Sequence, residues 1–173
     1  IALTLLLIAG LALSGCSAAG TPASNPVSNS DSPEKVYKVG LIQLVEHPSL
    51  DYVRQGILKA LQDNGLVDGK NIMIDYQNAQ NEQTNLDNIA KKFVGDKVDL
   101  IISITTPAVQ IVAANTTDIP IVFSAVTDPL ASRIVDSLEK PGGNITGVSD
   151  MNPFEAQFEM LKKVVPKAKK VGI

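Results

Sequence analysis

Two short polar turns, Thr105-Thr106-Pro107-Ala108 and Ser124-Ala125-Val126-Thr127-Asp128, hold the residues of this chain best suited to chemistry. Each follows a run of β-branched and aliphatic residues, so each sits where a buried strand ends and a helix begins. Hydroxyls and unpaired backbone N–H groups at a helix start accept an anionic group without a full positive charge. Asp128 beside them can accept hydrogen bonds from an ammonium. A carboxylate cradle and an anion for an amine are the minimum set for a free amino acid. Loops of this composition also serve nucleotide and sugar ligands, so the residues alone leave the ligand class open.

The same device recurs along the chain, a polar residue followed by proline: His47-Pro48, Thr106-Pro107, Asp128-Pro129 and Asn152-Pro153. Proline suits the first helical position, and Thr, Asp or Asn before it can cap exposed amides. Taken singly, each dipeptide is first a cap. Capping and ligand binding are compatible, because a helix start is also where an anion binds best.

Other chemistries lack their residues. The first strand reads Gly40-Leu41-Ile42-Gln43 and continues apolar, with no G-x-G-x-x-G for a dinucleotide and no P-loop. His47 is the only histidine and Cys16 the only cysteine, too few for a zinc site. A nucleophile elbow is missing, so His47 reads as a surface or pocket-lining residue, not a base. No catalytic residue, metal or cofactor is expected. Asp51, Asp63, Asp87, Asp96 and Asp136 read as solvated charges. A formal net charge of -3 with only two arginines, Arg54 and Arg133, argues against a nucleic-acid partner.

The elements that must position these turns follow from periodicity. Strands are predicted at 36–45, 71–76, 98–104, 119–126 and 144–148. Helices are predicted at 49–64, 86–94, 107–115, 130–138 and 153–165, and 169–173 reads as the opening of a last strand. Segment 98–104 is nearly all β-branched or leucine, as expected for a strand buried on both faces of a parallel sheet. Alternation of strand and helix predicts an α/β fold, a doubly wound parallel sheet with helices on both faces. Ligands of such sheets bind beyond the carboxyl ends of the strands. His47, Ser149 and Asp150 join the candidates on that ground.

Ahead of this domain stands an apolar run from Ile1 that closes on Leu13-Ser14-Gly15-Cys16. It is shorter than the roughly 20 residues of a membrane span and resembles a signal-peptide core ending in the lipobox of bacterial lipoproteins. Residues 1–15 are then a signal peptide, and Cys16 is the lipidated first residue of the mature protein. Residues 16–35 are rich in Ser, Ala, Asn, Pro and Gly and read as a flexible tether. The chain opens without Met or the basic residues that precede a signal core, and closes inside a strand pattern. It therefore reads as truncated at both ends.

With the loops His47-Pro48-Ser49-Leu50-Asp51, Thr105-Thr106-Pro107-Ala108 and Ala125-Val126-Thr127-Asp128-Pro129, and with Pro141-Gly142-Gly143-Asn144-Ile145-Thr146-Gly147-Val148-Ser149, the chain resembles the substrate-binding lipoproteins of ABC importers, tryptophan/tyrosine type. The resemblance implies a periplasmic-binding-protein-like fold of two lobes closing on one ligand. Residues 36–150 would be the first lobe, and 151–173 the crossing helix and first strand of a truncated second lobe. It implies Thr105, Thr106, Ser124, Thr127 and Asp128 as ligand contacts, while His47, Ser149 and Asp150 rest on strand-end position. The implied ligand is a small amino acid, aromatic in character, handed to an ABC permease and its ATPase outside the cytoplasm. The membrane would be reached through Cys16. A lipid-anchored α/β enzyme and a sensor ectodomain of the same fold are the alternatives.

Overall fold

The computed structural model describes residues 35–172; the apolar run, Cys16 and nearly all of the expected tether lie outside the described residues. In chain order the elements are β1 (Tyr37–Gln43), α1 (Pro48–Asp63), β2 (Ile72–Asn78), α2 (Gln83–Gly95), β3 (Leu100–Ile104), α3 (Thr106–Asn115), β4 (Ile121–Val126), β5 (Ile145–Ser149) and α4 (Phe154–Val164). The five strands form one sheet in the order β2-β1-β3-β4-β5. All four pairings are parallel. The doubly wound α/β architecture expected from the sequence is the one observed.

Alternation along the central strands explains why both faces are covered. Val39 and Leu41 of β1 pack with Ile102 and Ile104 of β3 against Leu50, Val53, Ile57 and Leu61 of α1. Ile42 and Ile101, one step out of phase, pack on the other face against Leu86, Ala90 and Phe93 of α2 and Ala108 and Val112 of α3. Phe93 is fully buried, a burial worth about 2–3 kcal/mol. It needs Gly40, because a Cβ there would lie 2.6 Å from the Phe93 ring.

The chain reverses its winding between β1 and β3: α1 leaves β1 on one face, while α2 and α3 occupy the other. That crevice is the topological switch point of the sheet. Because every strand runs the same way, α1, α2 and α3 all begin at one carboxyl rim.

Two expected elements differ. Segment 130–138 forms turns instead of a helix. Asp128 starts a turn there, with Ser132 N–H bonding its carbonyl, but Arg133 takes φ +54° and stops propagation. Ile134 and Val135 then turn inward against Val109, Phe123 and Val126, so tertiary packing overrides the local helical pattern. Residues 169–172, read as a strand opening, pair with no strand among the described residues. α4 buries none of its residues and leaves Phe154 and Phe158 about half exposed.

Candidate functional site

The candidate residues gather along one rim. His47 follows β1, Thr105 and Thr106 follow β3, Ser124, Thr127 and Asp128 end or follow β4, and Ser149 and Asp150 end or follow β5. These are four adjacent strands of the sheet. The turns at Thr106 and Asp128 stand on neighbouring strands, joined where Thr105 N–H donates to the Ser124 carbonyl at 3.0 Å.

Thr105 is the strained point of this rim. Its backbone takes φ +90° and ψ +151° as the residue before α3. That region is essentially reserved for glycine, and a β-branched residue held there costs about 1–3 kcal/mol. Its Oγ1 is buried and has no hydrogen-bond partner among the described residues. No side chain caps α3. The expected cap by Thr106 is therefore absent, because Thr106 is itself the first helical residue and Pro107 the second. The result is a short helix whose first amides are not taken by any side chain among the described residues.

The neighbouring strand is irregular at the same level. Register slips between Phe123 and Val126, and Ala125 takes φ +54°. Such a bulge re-aims the residues after it. Gly147 makes it possible, since a Cβ there would strike the Phe123 carbonyl and ring. Ser124 lines a groove beside α1 with Ile57, Leu61 and Val122.

Asp128 is half-buried, and its Oδ1 accepts from Leu130 N–H at 3.1 Å and Ala131 N–H at 2.9 Å. It thus acts as a turn cap, with its second oxygen unpaired among the described residues. The Ser149 hydroxyl donates to the Thr127 carbonyl at 2.7 Å and accepts from Met151 N–H at 3.1 Å. Thr127, Ser149 and Asp150 are exposed. His47 is exposed and caps α1, its Nδ1 accepting from Ser49 N–H at 3.3 Å. That bond places the ring proton of a neutral His47 on Nε2. Capping is therefore present at His47 and Asp128 and absent at Thr106; Asn152 gives no side-chain cap to α4 either.

A cluster beside the rim was not foreseen. Gln43, last residue of β1, is completely buried. Its amide nitrogen donates to the Val45 carbonyl at 2.8 Å and to Asp51 Oδ1 at 2.9 Å. Its amide oxygen accepts from Arg54 Nε at 3.2 Å and from the Tyr76 hydroxyl at 3.4 Å. The Arg54 guanidinium also lies 4.6 Å from the Tyr76 ring centre, a cation–π distance. Asp51, expected as a solvated charge, belongs to this network. The Gln43 amide, with Arg54 assisting, holds its carboxyl below the usual carboxylate value. The signal was a polar residue in phase with Val39 and Leu41, where the alternation calls for an apolar one. Among the described residues no group of three or more His, Cys, Asp or Glu side chains gathers to hold a metal ion.

Residues 38–173 match the family model described as ABC transporter substrate binding protein. The chain belongs to that family. Members are ligand-binding components of transporters, which act outside the cytoplasm. A "Tyrosine-binding protein" of Clostridioides difficile is 50% identical over 97% of this chain and 50% of its own length. A ligand-free, open structure of a substrate-binding protein with adhesive properties from Clostridium difficile is similar at TM-score 0.72 and 51% identity, over 78% of this chain and 45% of that one. An ABC domain in complex with L-Trp from Streptococcus pneumonia is similar at TM-score 0.73 and 40% identity, over 76% and 44%. The chain thus spans about half the length of these relatives. No helix among the described residues is long and apolar enough to cross a membrane.

Proposed function

We propose that this chain forms one side of a cleft that captures a free amino acid, aromatic in side chain, for an ABC permease and its ATPase. The observation that carries this reading is the start of α3: no side chain caps it, and Thr105 is strained with its buried hydroxyl unpaired. An amino-acid carboxylate supplies the missing acceptor, bound by the α3 amides and the hydroxyls of Thr105 and Thr106. Ser124 and Thr127 line the approach. The free oxygen of Asp128 takes the ammonium, with Ser149 and Asp150 on the next strand and His47 across the switch point. The named ligands of the relatives, tyrosine and L-Trp, support the aromatic class.

In this reading, residues 36–150 are a first lobe and 151–173 lead into a second, and closure of the two over the ligand creates the surface the permease recognises. Residues 1–15 direct export, and lipid on Cys16 with a tether over 16–35 holds the domain at the outer face of the cell membrane. Acyl labelling that persists in a Cys16→Ser variant overturns the anchor alone.

Calorimetric titration of the protein at its full natural length tests the ligand. L-tyrosine or L-tryptophan is expected to bind, whereas tyramine, which lacks the carboxylate, is expected to fail. Equal binding of tyramine, or no binding of any α-amino acid, overturns the reading. Asp128→Ala is expected to weaken binding by about 2–3 kcal/mol, the cost of leaving a charge unpaired.

A further inference from the structure

We infer that Gln43 is a positioning residue for ligand capture: its buried amide sets the β1–α1 loop, and with it His47 and the start of α1, against the switch point of the sheet. The inference deepens the proposed amino-acid reading and rests on it for its affinity readout, but not for its loop readout.

A primary amide in a strand core is expensive unless each of its polar positions is matched. Here both donors and both acceptor sites of Gln43 are used, and the partners belong to different parts of the fold. Val45 lies in the loop itself. Asp51 lies in the first turn of α1 and Arg54 in the next, while Tyr76 belongs to the edge strand β2. An apolar side chain of similar size would fill the volume as well, as Val39 and Leu41 do four and two residues earlier on the same face. What leucine cannot do is tie a loop to a helix. The amide therefore trades core simplicity for a fixed loop.

The tie continues to the rim. Asp51 N–H donates to the His47 carbonyl at 2.9 Å, and His47 caps the same turn through Nδ1. Gln43, Asp51 and His47 are thus linked in sequence, from buried sheet to exposed rim. On the other side, Arg54 and Tyr76 form a wall of a cleft of about 420 Å³ together with Val45, Glu46, Asn78 and Gln80. Gln43 itself has no exposed surface, so it acts only through the residues it holds.

The test uses Gln43→Leu and the reciprocal pair Gln43→Glu with Asp51→Asn, in the protein at full natural length. In the pair, the amide placed on α1 donates to the carboxylate placed on β1, so the link to α1 is rebuilt with its polarity reversed, while the bond to the Val45 carbonyl, which needs the amide N–H, stays lost. Two readouts are taken: hydrogen exchange of the amides at 44–51, and the dissociation constant for L-tyrosine. Gln43→Leu is expected to raise exchange at 44–51 at least tenfold while α2 and α3 stay protected, and to weaken L-tyrosine about tenfold, the scale of a lost charge-assisted bond. The reciprocal pair is expected to recover protection at 48–51, where the link to α1 is rebuilt, and not at 44–46, where the Val45 bond stays lost; equal recovery at 44–46 overturns the role given to the Val45 bond.

Unchanged exchange at 44–51 in Gln43→Leu overturns the inference. A uniform rise across the whole sheet does so too, because it marks Gln43 as a stability residue only. If wild-type protein binds no amino acid, the ligand reading fails by itself and the exchange pattern still decides the role of Gln43. Should Gln43→Leu not fold, Asp51→Ala cuts the same tie at its half-exposed end, with the same two readouts and the same deciding outcomes.

Discussion

On the β1 side of the rim, both donors and both acceptor sites of Gln43 are paired, and His47 caps its helix. On the β3–β4 side, Thr105 sits at φ +90° with its hydroxyl unpaired, Ala125 is left-handed, and α3 starts uncapped. The two sides neighbour each other along the same sheet edge, so the contrast is not one of exposure or composition. One side has completed its hydrogen bonds internally and holds a shape. The other keeps donors free and stores strain, the condition expected of residues that complete their bonding with a ligand.

The largest effect that would break this contrast comes from the support under the open side. Gly147→Ala puts a methyl into the Phe123 carbonyl and ring, and is expected to cost about 2–3 kcal/mol as an overpacked contact. Urea unfolding measures the loss. A cost near zero would mean that the β4 bulge is loosely held and that Ser124 to Asp128 have no fixed arrangement.

Thr105→Gly sharpens the contrast in the opposite direction. Glycine relieves φ +90° and removes a buried hydroxyl without a partner, at the expense of a more flexible unfolded chain. The net expectation is stabilisation by about 1 kcal/mol, accompanied by weaker ligand binding. A shift of the urea midpoint to lower concentration would show that Thr105 is held by favourable packing and that this side carries no strain.

The smallest effect is a pH dependence. Asp51 has its carboxyl lowered by the Gln43 amide first and Arg54 second. Asp99, before β3 at the opposite rim, is lowered by Lys35 and then by the Lys38 backbone amide. A lowered folded-state value means the unfolded chain binds more protons, so the contribution is complete above the ordinary value of about 3.9 and is lost as pH falls through the lowered one. Stability is expected to be flat from about pH 7 to pH 5 and to decline below about pH 4. Asp51→Asn and Asp99→Asn should each shallow that decline; if Asp51→Asn leaves it unchanged, the network at β1 is not coupled to folding.

The fold was legible because burial on both faces forces a recognisable composition. Segments 98–104 and 119–126 are rich in Val, Ile and Leu, and the observed β3 and β4 lie inside them. Segment 130–138 misled because its helical spacing is real, while Arg133 at φ +54° and the burial of Ile134 and Val135 are decided by distant contacts. The rim was legible as a set of strand ends, since parallel topology fixes where they must lie. Which threonine precedes α3 was not, because only the backbone shows that Thr105 is the residue outside the helix. Gln43 was missed for a related reason: a polar residue at an apolar position is informative only when its partners, scattered from 45 to 76, are known to converge.

The common direction of the strands has an electrostatic consequence. The amide ends of α1, α2 and α3 crowd one edge of a molecule whose formal net charge is -3. Each end is equivalent to roughly half a positive charge, felt only within a Debye length of about 8 Å in physiological salt. At longer range, the zwitterion of the proposed reading would meet a weakly anionic surface on this part of the protein. In that reading its carboxyl end would turn inward only at the lip, and the rate of capture is expected to vary little with ionic strength.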